Sequence, residues 1–190
     1  MSIEIDILNG DAAWSEVEPL YRAIWPPEVV ATLPWGGLAF AHANLRVLLR
    51  DEMSDVVCHV GIYRRQAMWN GRKVSIGGIG GVMTREDQRR RGYATVALDA
   101  AIRTLKDEGS VDLGLLFCEP RHAPFYVARG WKLFEGDIFA EQPGGRIRFT
   151  ATVPHVYDLR RKLWRLAVVK RGELRACLIC WGKGATVRNI

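Results

Sequence analysis

A mixed α/β fold, one sheet with helices packed on it, is what three features of this 190-residue sequence predict. Several stretches alternate apolar and polar residues with the period of a strand. Others place apolar residues three and four apart, as a helix does, and in the middle of the chain strands follow one another directly. That order excludes a doubly wound repeat, which would alternate strand and helix throughout. With 48% hydrophobic and 25% charged residues, the composition is that of a folded chain able to bury a core.

The elements follow in order. SIEIDIL alternates Ile3, Ile5 and Ile7 with polar residues, the pattern of a half-buried strand, and NGD turns the chain. From Asp11 onward Trp14, Val17, Leu20, Tyr21 and Ile24 describe one helix face. That helix must stop before Pro26 and Pro27, since proline lacks an N–H and its ring clashes with the preceding turn. WPPEVVATLPWGG shows no period. Leu45–Arg50, Val56–Trp69 and Arg72–Thr84 read as strands, and Asn70-Gly71 between the last two favours a type I′ hairpin. Tyr93, Val96, Ala97, Ala100, Ala101, Thr104 and Leu105 predict a helix closed at Gly109. VDLGLLFCE reads as a short buried strand, HAPFYVARGW as a short helix ending at Gly130, and residues 131–134 and 147–153 as two strands around a Pro-Gly-Gly loop.

No run approaches the roughly 20 apolar residues of a membrane span. The N-terminus is acidic where a secretory signal would be basic and then apolar, so the expected location is the cytoplasm. Of the four cysteines only Cys177 and Cys180 stand as Cys-x-x-Cys; with no second pair or histidine couple nearby, a structural reading outweighs a metal or redox one. His42, His59 and His155 have no metal-ligand spacing and read as structural or exposed, so no metal is expected. Residues 155–190 carry nine Lys or Arg against Asp158 and Glu173, and so hold the entire excess behind the net charge of +6. The division expected is 1–154 as the main domain and 155–190 as a basic extension packed on it. Leu159, Leu163, Leu166 and Val169 give that extension an amphipathic helix pattern, and LRACLICW a strand. Its charge suits a solvated face or a homodimer contact better than a membrane. Nucleic acid is not an expected partner, because no recognition fold accompanies the charge.

The richest stretch is IGGIGGVMTREDQRRRGYA. A Walker loop would need Gly-Lys-Ser/Thr, and the dinucleotide fingerprint a third glycine three residues after the second; both are missing. What remains is a strand, a basic turn with Arg89, Arg90, Arg91 and Gly92, and a helix beginning at Tyr93 and Ala94. Free N–H groups and the positive dipole end of a helix's first turn bind phosphate oxygens. A solvated charge run is the plain alternative.

R89-R90-R91-G92-Y93-A94 resembles the Arg/Gln-x-x-Gly-x-Gly/Ala motif of the GNAT superfamily of acyl-CoA-dependent N-acyltransferases. PFYVARGW after the strand LGLLFCE is similar to that family's second signature, and the order of elements agrees from Ser2 to Val153; from Pro154 on there is no counterpart. The resemblance implies a central, mostly antiparallel sheet splayed at the cofactor site. It implies acetyl-CoA as acyl donor, its pantetheine arm on the backbone of Val82, Met83 and Thr84 and its pyrophosphate on the N–H groups of Arg89, Arg90, Arg91, Gly92, Tyr93 and Ala94. Gly77, Gly78, Gly80 and Gly81 would allow close approach and a bulge, or else mark only a twisted strand.

The reaction implied is attack of an amine on the thioester, with a backbone N–H near Val82 polarising the carbonyl. Tyr126 matches the tyrosine that protonates the leaving sulfur, its alternative role being to pack against Phe125 and Trp131. Relatives often carry a glutamate at the position of Gly80. Without it the base candidates are Glu119, then His122, then Glu28, the last two also as substrate-binding groups, with water-mediated proton removal as the alternative. The same stretches look like aminoglycoside 2′-N-acetyltransferases and, more faintly, rhizobial nodulation acyltransferases. The expected acceptor is therefore a small-molecule amine such as an aminoglycoside or amino sugar, and Glu28, Glu119, Glu135, Asp137 and Glu141 are the carboxylates available to a polycation. The alternatives are acetylation of a protein amine and a non-catalytic acyl-CoA-binding module.

Overall fold

The computed structural model describes residues 3–160 and 173–176. Among them one sheet contains ten strands: β1 (Glu4–Asn9), β2 (Leu45–Arg50), β3 (Val56–Trp69), β4 (Arg72–Thr84), β5 (Leu113–Cys118), β6 (Lys132–Leu133), β7 (Asp137–Gln142), β8 (Gly145–Arg148), β9 (Val153–Asp158) and β10 (Glu173–Ala176). The helices are α1 (Trp14–Ile24), α2 (Pro27–Val30), α3 (Tyr93–Glu108) and α4 (Ala123–Val127). β1 to β4 pair antiparallel in chain order, β4 and β5 pair parallel, and β9 and then β6 continue antiparallel beyond β5. β3 is long enough to serve two neighbours along one edge. Residues 56–62 pair with β2 and residues 67–69 with β10, through which β7 and β8 join the sheet.

β2, β3 and β4 have the bounds the periodicity predicts. At their hairpin Asn70 and Gly71 both have positive φ (47° and 77°), as a type I′ turn requires. α3 closes on Gly109 at φ 61°, in the left-handed conformation that glycine adopts without penalty.

Elsewhere the sequence reading is corrected. The alternation in β1 is real, but Ile5 and Ile7 are each 45% exposed; Leu8 packs on the α1 side, and Asp6 accepts from Arg50 Nε at 2.7 Å. The strand expected over 147–153 is two strands, β8 and β9, which belong to different ladders. β7 was not expected at all. β9 also runs through the limit expected at residue 154, pairing with β5 as far as Asp158, so the central sheet extends into the basic segment. The amphipathic helix pattern beyond Arg160 and the pair Cys177 and Cys180 lie outside the described residues.

The two faces of the sheet are covered differently. α3 sets Ala97, Leu98, Ala101, Ile102 and Leu105 against Val47, Leu49, Val60, Ile62 and Ile79. α1 sets Val17 and Leu20 against Leu48 and Met83 on the opposite face. No helix among the described residues is long and apolar enough to cross a membrane. Because Leu105 is fully buried between α3 and the sheet, Leu105→Ala should lower the unfolding free energy by about 2–5 kcal/mol. A urea midpoint unchanged from the parent would show that α3 does not carry this core.

Candidate functional site

The site begins where two paired strands part. β4 and β5 pair only from Ile76↔Leu113 to Ile79↔Leu116. Beyond that, β4 runs on through Thr84 beside β3 and β5 runs on to Cys118 beside β9. The sheet is therefore open between its two central strands, and among the described residues, residues 80–84 of β4 have no strand partner on the β5 side.

A bulge sits on that open stretch. His59 faces Met83 and Gly61 faces Gly80, so Val60 alone stands opposite both Gly81 and Val82. Gly81 has φ 57°, the left-handed residue that such a bulge commonly contains. The inserted residue exchanges the two faces: Met83 joins the α1 core, while Val82 packs with the α3 core.

Behind the bulge stands a buried polar chain. His59 Nδ1 donates to the Gly81 carbonyl at 2.7 Å, and Arg46 Nη1 donates to His59 Nε2 at 3.0 Å. Arg46 Nε donates to the Gly10 carbonyl at 2.7 Å, and its guanidinium lies 4.9 Å from the ring centre of Trp14. Both side chains are at least 95% buried. Burial pushes the His59 imidazole down to about 4, the bond to Gly81 opposes this, and the Arg46 charge adds to the depression. A neutral ring is the form that donates through Nδ1 and accepts through Nε2.

After β4 the chain enters a single 3₁₀ turn, Glu86–Gln88. Arg85 anchors it through Asp87 at 2.8 Å, Asp51 at 3.3 Å and Asp55 at 3.6 Å. Arg90 (φ 63°) and Gly92 (φ 84°) are both left-handed, the backbone pattern that turns successive N–H groups toward one point. α3 then starts with no side chain capping it and no acidic residue in its first turn. Arg89, Arg90, Arg91 and Gly92 are exposed. Uncapped amides, a helix dipole and three arginines make this turn fit for phosphate oxygens.

α4 is fastened to the start of α3. Arg129 donates to Thr95 Oγ1 at 2.5 Å and to the Phe125 carbonyl at 2.6 Å, and its guanidinium lies 3.8 Å from the centre of the Phe125 ring. Tyr126 is buried, edge-on to Phe125 and to Trp131. Burial, and secondarily the neighbouring Cys118, push its hydroxyl well above the usual phenol range, so it is held as a neutral donor. Glu119 follows β5 directly and forms an ion pair with Arg121 at 2.8 Å; His122 precedes α4 and is exposed. Tyr126, Glu119 and His122 thus gather at the free end of β5, across the opening from Val82, Met83 and Thr84. Glu28 lies in the first turn of α2.

At Gly80 a side chain is replaced by a ring from the neighbouring strand: a Cβ there would lie 3.1 Å from Tyr63 Cε2 and 3.7 Å from its hydroxyl. His59, read from the sequence as structural or exposed, is buried, and its link to Arg46 was not foreseen. The one sequence signal was the polar residues within otherwise apolar strands, LRVLLR and VVCHVGI.

A family model described as an acetyltransferase (GNAT) domain matches residues 37–134. An aminoglycoside 2′-N-acetyltransferase from Mycolicibacterium fortuitum is 29% identical over 93 residues, which are 49% of this chain and 47% of that protein, so the match spans about half of the relative's length. Among solved structures, the GNAT N-acetyltransferase YhbS from Escherichia coli, in complex with CoA, superposes with a TM-score of 0.60 at 17% identity, covering 91% of this chain and 88% of that one. A GNAT-family acetyltransferase from Staphylococcus aureus Mu50 gives 0.55 at 13% identity, covering 84% and 100%. These structural likenesses establish the fold.

The depressed imidazole makes a measurable contribution to stability. The unfolded chain takes up this proton near 6.5 and the folded one only near 4, so the unfolded state gains protons first as pH falls. Stability from this group should be complete above about pH 6.5 and should decline toward pH 4 by at most about 1.4 kcal/mol per pH unit. The difference in thermal midpoint between the parent and His59→Asn should shift in the parent's disfavour across that window; a constant difference would mean that His59 takes up its proton as readily in the folded protein as in the unfolded one.

Proposed function

The chain belongs to the GNAT acetyltransferases, and we propose that it transfers an acetyl group from acetyl-CoA to a primary amine of a small molecule. The observation that carries this reading is the pairing of an opened β4–β5 edge with an uncapped, left-handed, arginine-rich turn at the start of α3. Acetyl-CoA supplies the activated thioester. The N–H groups of the turn from Arg89 to Ala94 suit its pyrophosphate, and the backbone of Val82, Met83 and Thr84 suits its arm, which would lie along β4 as an added strand does.

In the proposed transfer the amine nitrogen bonds to the acetyl carbon, the carbon–sulfur bond breaks, the thiolate receives a proton, and the amine gives one up. Tyr126, held neutral at the free end of β5, is the donor to sulfur. For proton removal from the amine we assign Glu119 first, acting directly or through water, from its place directly after β5. His122 is the nearest alternative along the chain, and Glu28 belongs to the α2 side.

As acceptor an amino sugar or another amine of low charge is favoured over a polycation. Among the carboxylates that could serve an aminoglycoside, Glu119 is paired with Arg121, Glu141 with Arg146 and Asp137 with Arg148. A second reading, an acyl-CoA-binding module without turnover, is favoured by one observation, the Tyr63 ring standing where a β4 carboxylate would project.

Calorimetric titration with acetyl-CoA followed by thiol release over aminoglycosides, amino sugars, polyamines and amino acids separates these readings. Binding with turnover on one class is expected, and binding without turnover on any would leave the module. Gly92→Val forces a β-branched residue to φ 84° and should weaken acetyl-CoA binding about tenfold or more; unchanged affinity would remove the turn from the site. Tyr126→Phe should reduce kcat about 10²-fold while leaving affinity for acetyl-CoA within about threefold, and unaltered turnover would remove it as the proton donor.

A further inference from the structure

The polar chain behind the bulge has no part in the proton transfers just described, yet it ends on the backbone that lines the opening. We infer that His59, braced by Arg46, is a positioning residue that fixes the Gly81–Val82 peptide plane and thereby aims the Val82 N–H at the thioester carbonyl of bound acyl-CoA. This rests on the reading that the opening holds acetyl-CoA.

The argument is one of peptide geometry. In a planar trans peptide the carbonyl of one residue and the N–H of the next point in opposite directions. His59 draws the Gly81 carbonyl toward β3 and the α1 face, at 2.7 Å. The Val82 N–H must then point away from β3, toward the side on which β4 has parted from β5 and on which Val82 itself packs with the α3 core. Gly81 makes this orientation accessible: φ 57° is open to glycine, and a Cβ at this position would lie 3.2 Å from the His59 ring.

A bulge alone would not hold the plane, since the ladder is interrupted there and a glycine is the most freely rotating residue in the chain. His59 supplies the missing restraint, and its own ring is fixed from the other side by Arg46. Arg46 is in turn tied to the Gly10 carbonyl and to Trp14, the first residue of α1. Among the described residues Arg46 forms no ion pair, so a buried guanidinium is kept here without a carboxylate. That is a costly arrangement for a purely structural purpose. The donor aimed by it serves where charge develops on a carbonyl oxygen, and such a donor is effective when it is oriented before the reaction begins.

The test reads the carbonyl itself. Acetyl-CoA labelled with ¹³C at the carbonyl is bound to the parent protein and to His59→Leu and His59→Asn, and its infrared stretch is compared with that in free solution. Calorimetry with acetyl-CoA and with CoA is run alongside. In the parent the stretch should move to lower frequency. In His59→Leu it should return to its solution position, and acetyl-CoA should lose about fivefold in affinity relative to CoA, the worth of one hydrogen bond. His59→Asn keeps an N–H close to the place of Nδ1 and should retain most of the shift, together with most of kcat once an acceptor is known.

An equal shift in the parent and His59→Leu, or no shift in a parent that binds CoA, would overturn the inference while leaving acyl-CoA binding intact. Failure of the parent to bind either nucleotide would instead overturn the proposed function and this inference with it. Should His59→Leu not fold, Arg46→Gln, which unfastens the imidazole without removing it, is read on the same scale: a reduced shift supports the inference, and a shift equal to the parent's overturns it.

Discussion

Two neighbouring strands that pair over four residues and then separate impose the constraint on which the rest of the molecule depends. β4 and β5 stand in the middle of the sheet, so their separation after Ile79 and Leu116 creates an edge inside the fold rather than at its border. An edge of this kind presents backbone donors and acceptors with no strand to satisfy them, and a folded protein cannot leave many such groups both buried and unpaired. The bulge at Gly81 and Val82 lies on this unpaired stretch and adds the local twist that carries β4 away from β5. β5 is held on its other side by β9 along all six of its residues, so it does not follow. What fills the opening must offer complementary backbone-like groups, which is how an amide-containing pantetheine arm differs from a simple apolar ligand.

Around the opening, arginines help to set the positions of the turn after β4 and of α4. Arg85 ties the turn after β4 to the loop between β2 and β3, and Arg129 ties α4 to the first turn of α3. Partly exposed ion pairs of this kind contribute little to stability. Their effect is geometric: the arginine-rich turn and the tyrosine helix are each fastened to a rigid neighbour, so Tyr126 and the amides of α3 keep fixed places relative to β4. Arg46 does the same from within the core, where the guanidinium and a neutral imidazole hold backbone carbonyls at Gly10 and Gly81.

What was legible in the sequence was what depends on near neighbours. The bounds of β2, β3 and β4, the Asn70-Gly71 hairpin, and both ends of α3 follow from local periodicity and from residues that permit positive φ. The arginine-rich turn before α3 is also local, a few consecutive residues whose types and order carry their meaning. β7 was missed because DIFAEQ is short and exists as a strand through pairing with β8 and β10. β8 and β9 were merged because only their partners distinguish them. The exposure of Ile5 and Ile7 could not be foreseen either, since alternation reveals that a strand has two faces and not which of them is covered. The chain from Gly10 through Arg46 and His59 to Gly81 spans 36, 13 and 22 residues at its three links, and its register depends on the bulge, so nothing short of the paired sheet brings it together.

The same pairing explains the absence of a carboxylate on β4. Gly61, Gly78 and Gly80 all lie against Tyr63, each so close that an added Cβ would stand 3.1 Å from an atom of that side chain. The three glycines thus make one hollow on the α1 face, and an aromatic ring occupies it. Burial holds the Tyr63 hydroxyl above the usual phenol range, with Arg46 and Arg65 opposing that shift. A residue in this state donates or accepts a hydrogen bond but does not remove a proton near neutrality. On this face a neutral phenol therefore stands where a Gly80 side chain would project, and the Arg46 charge lies close enough to act on it. In the transfer proposed above an ammonium ion gains nothing from such surroundings, and only a neutral amine has the lone pair that attacks a thioester. For that transfer the lack of a β4 carboxylate favours proton removal from the solvent side or the far end of β5, and an acceptor that reaches the thioester already deprotonated.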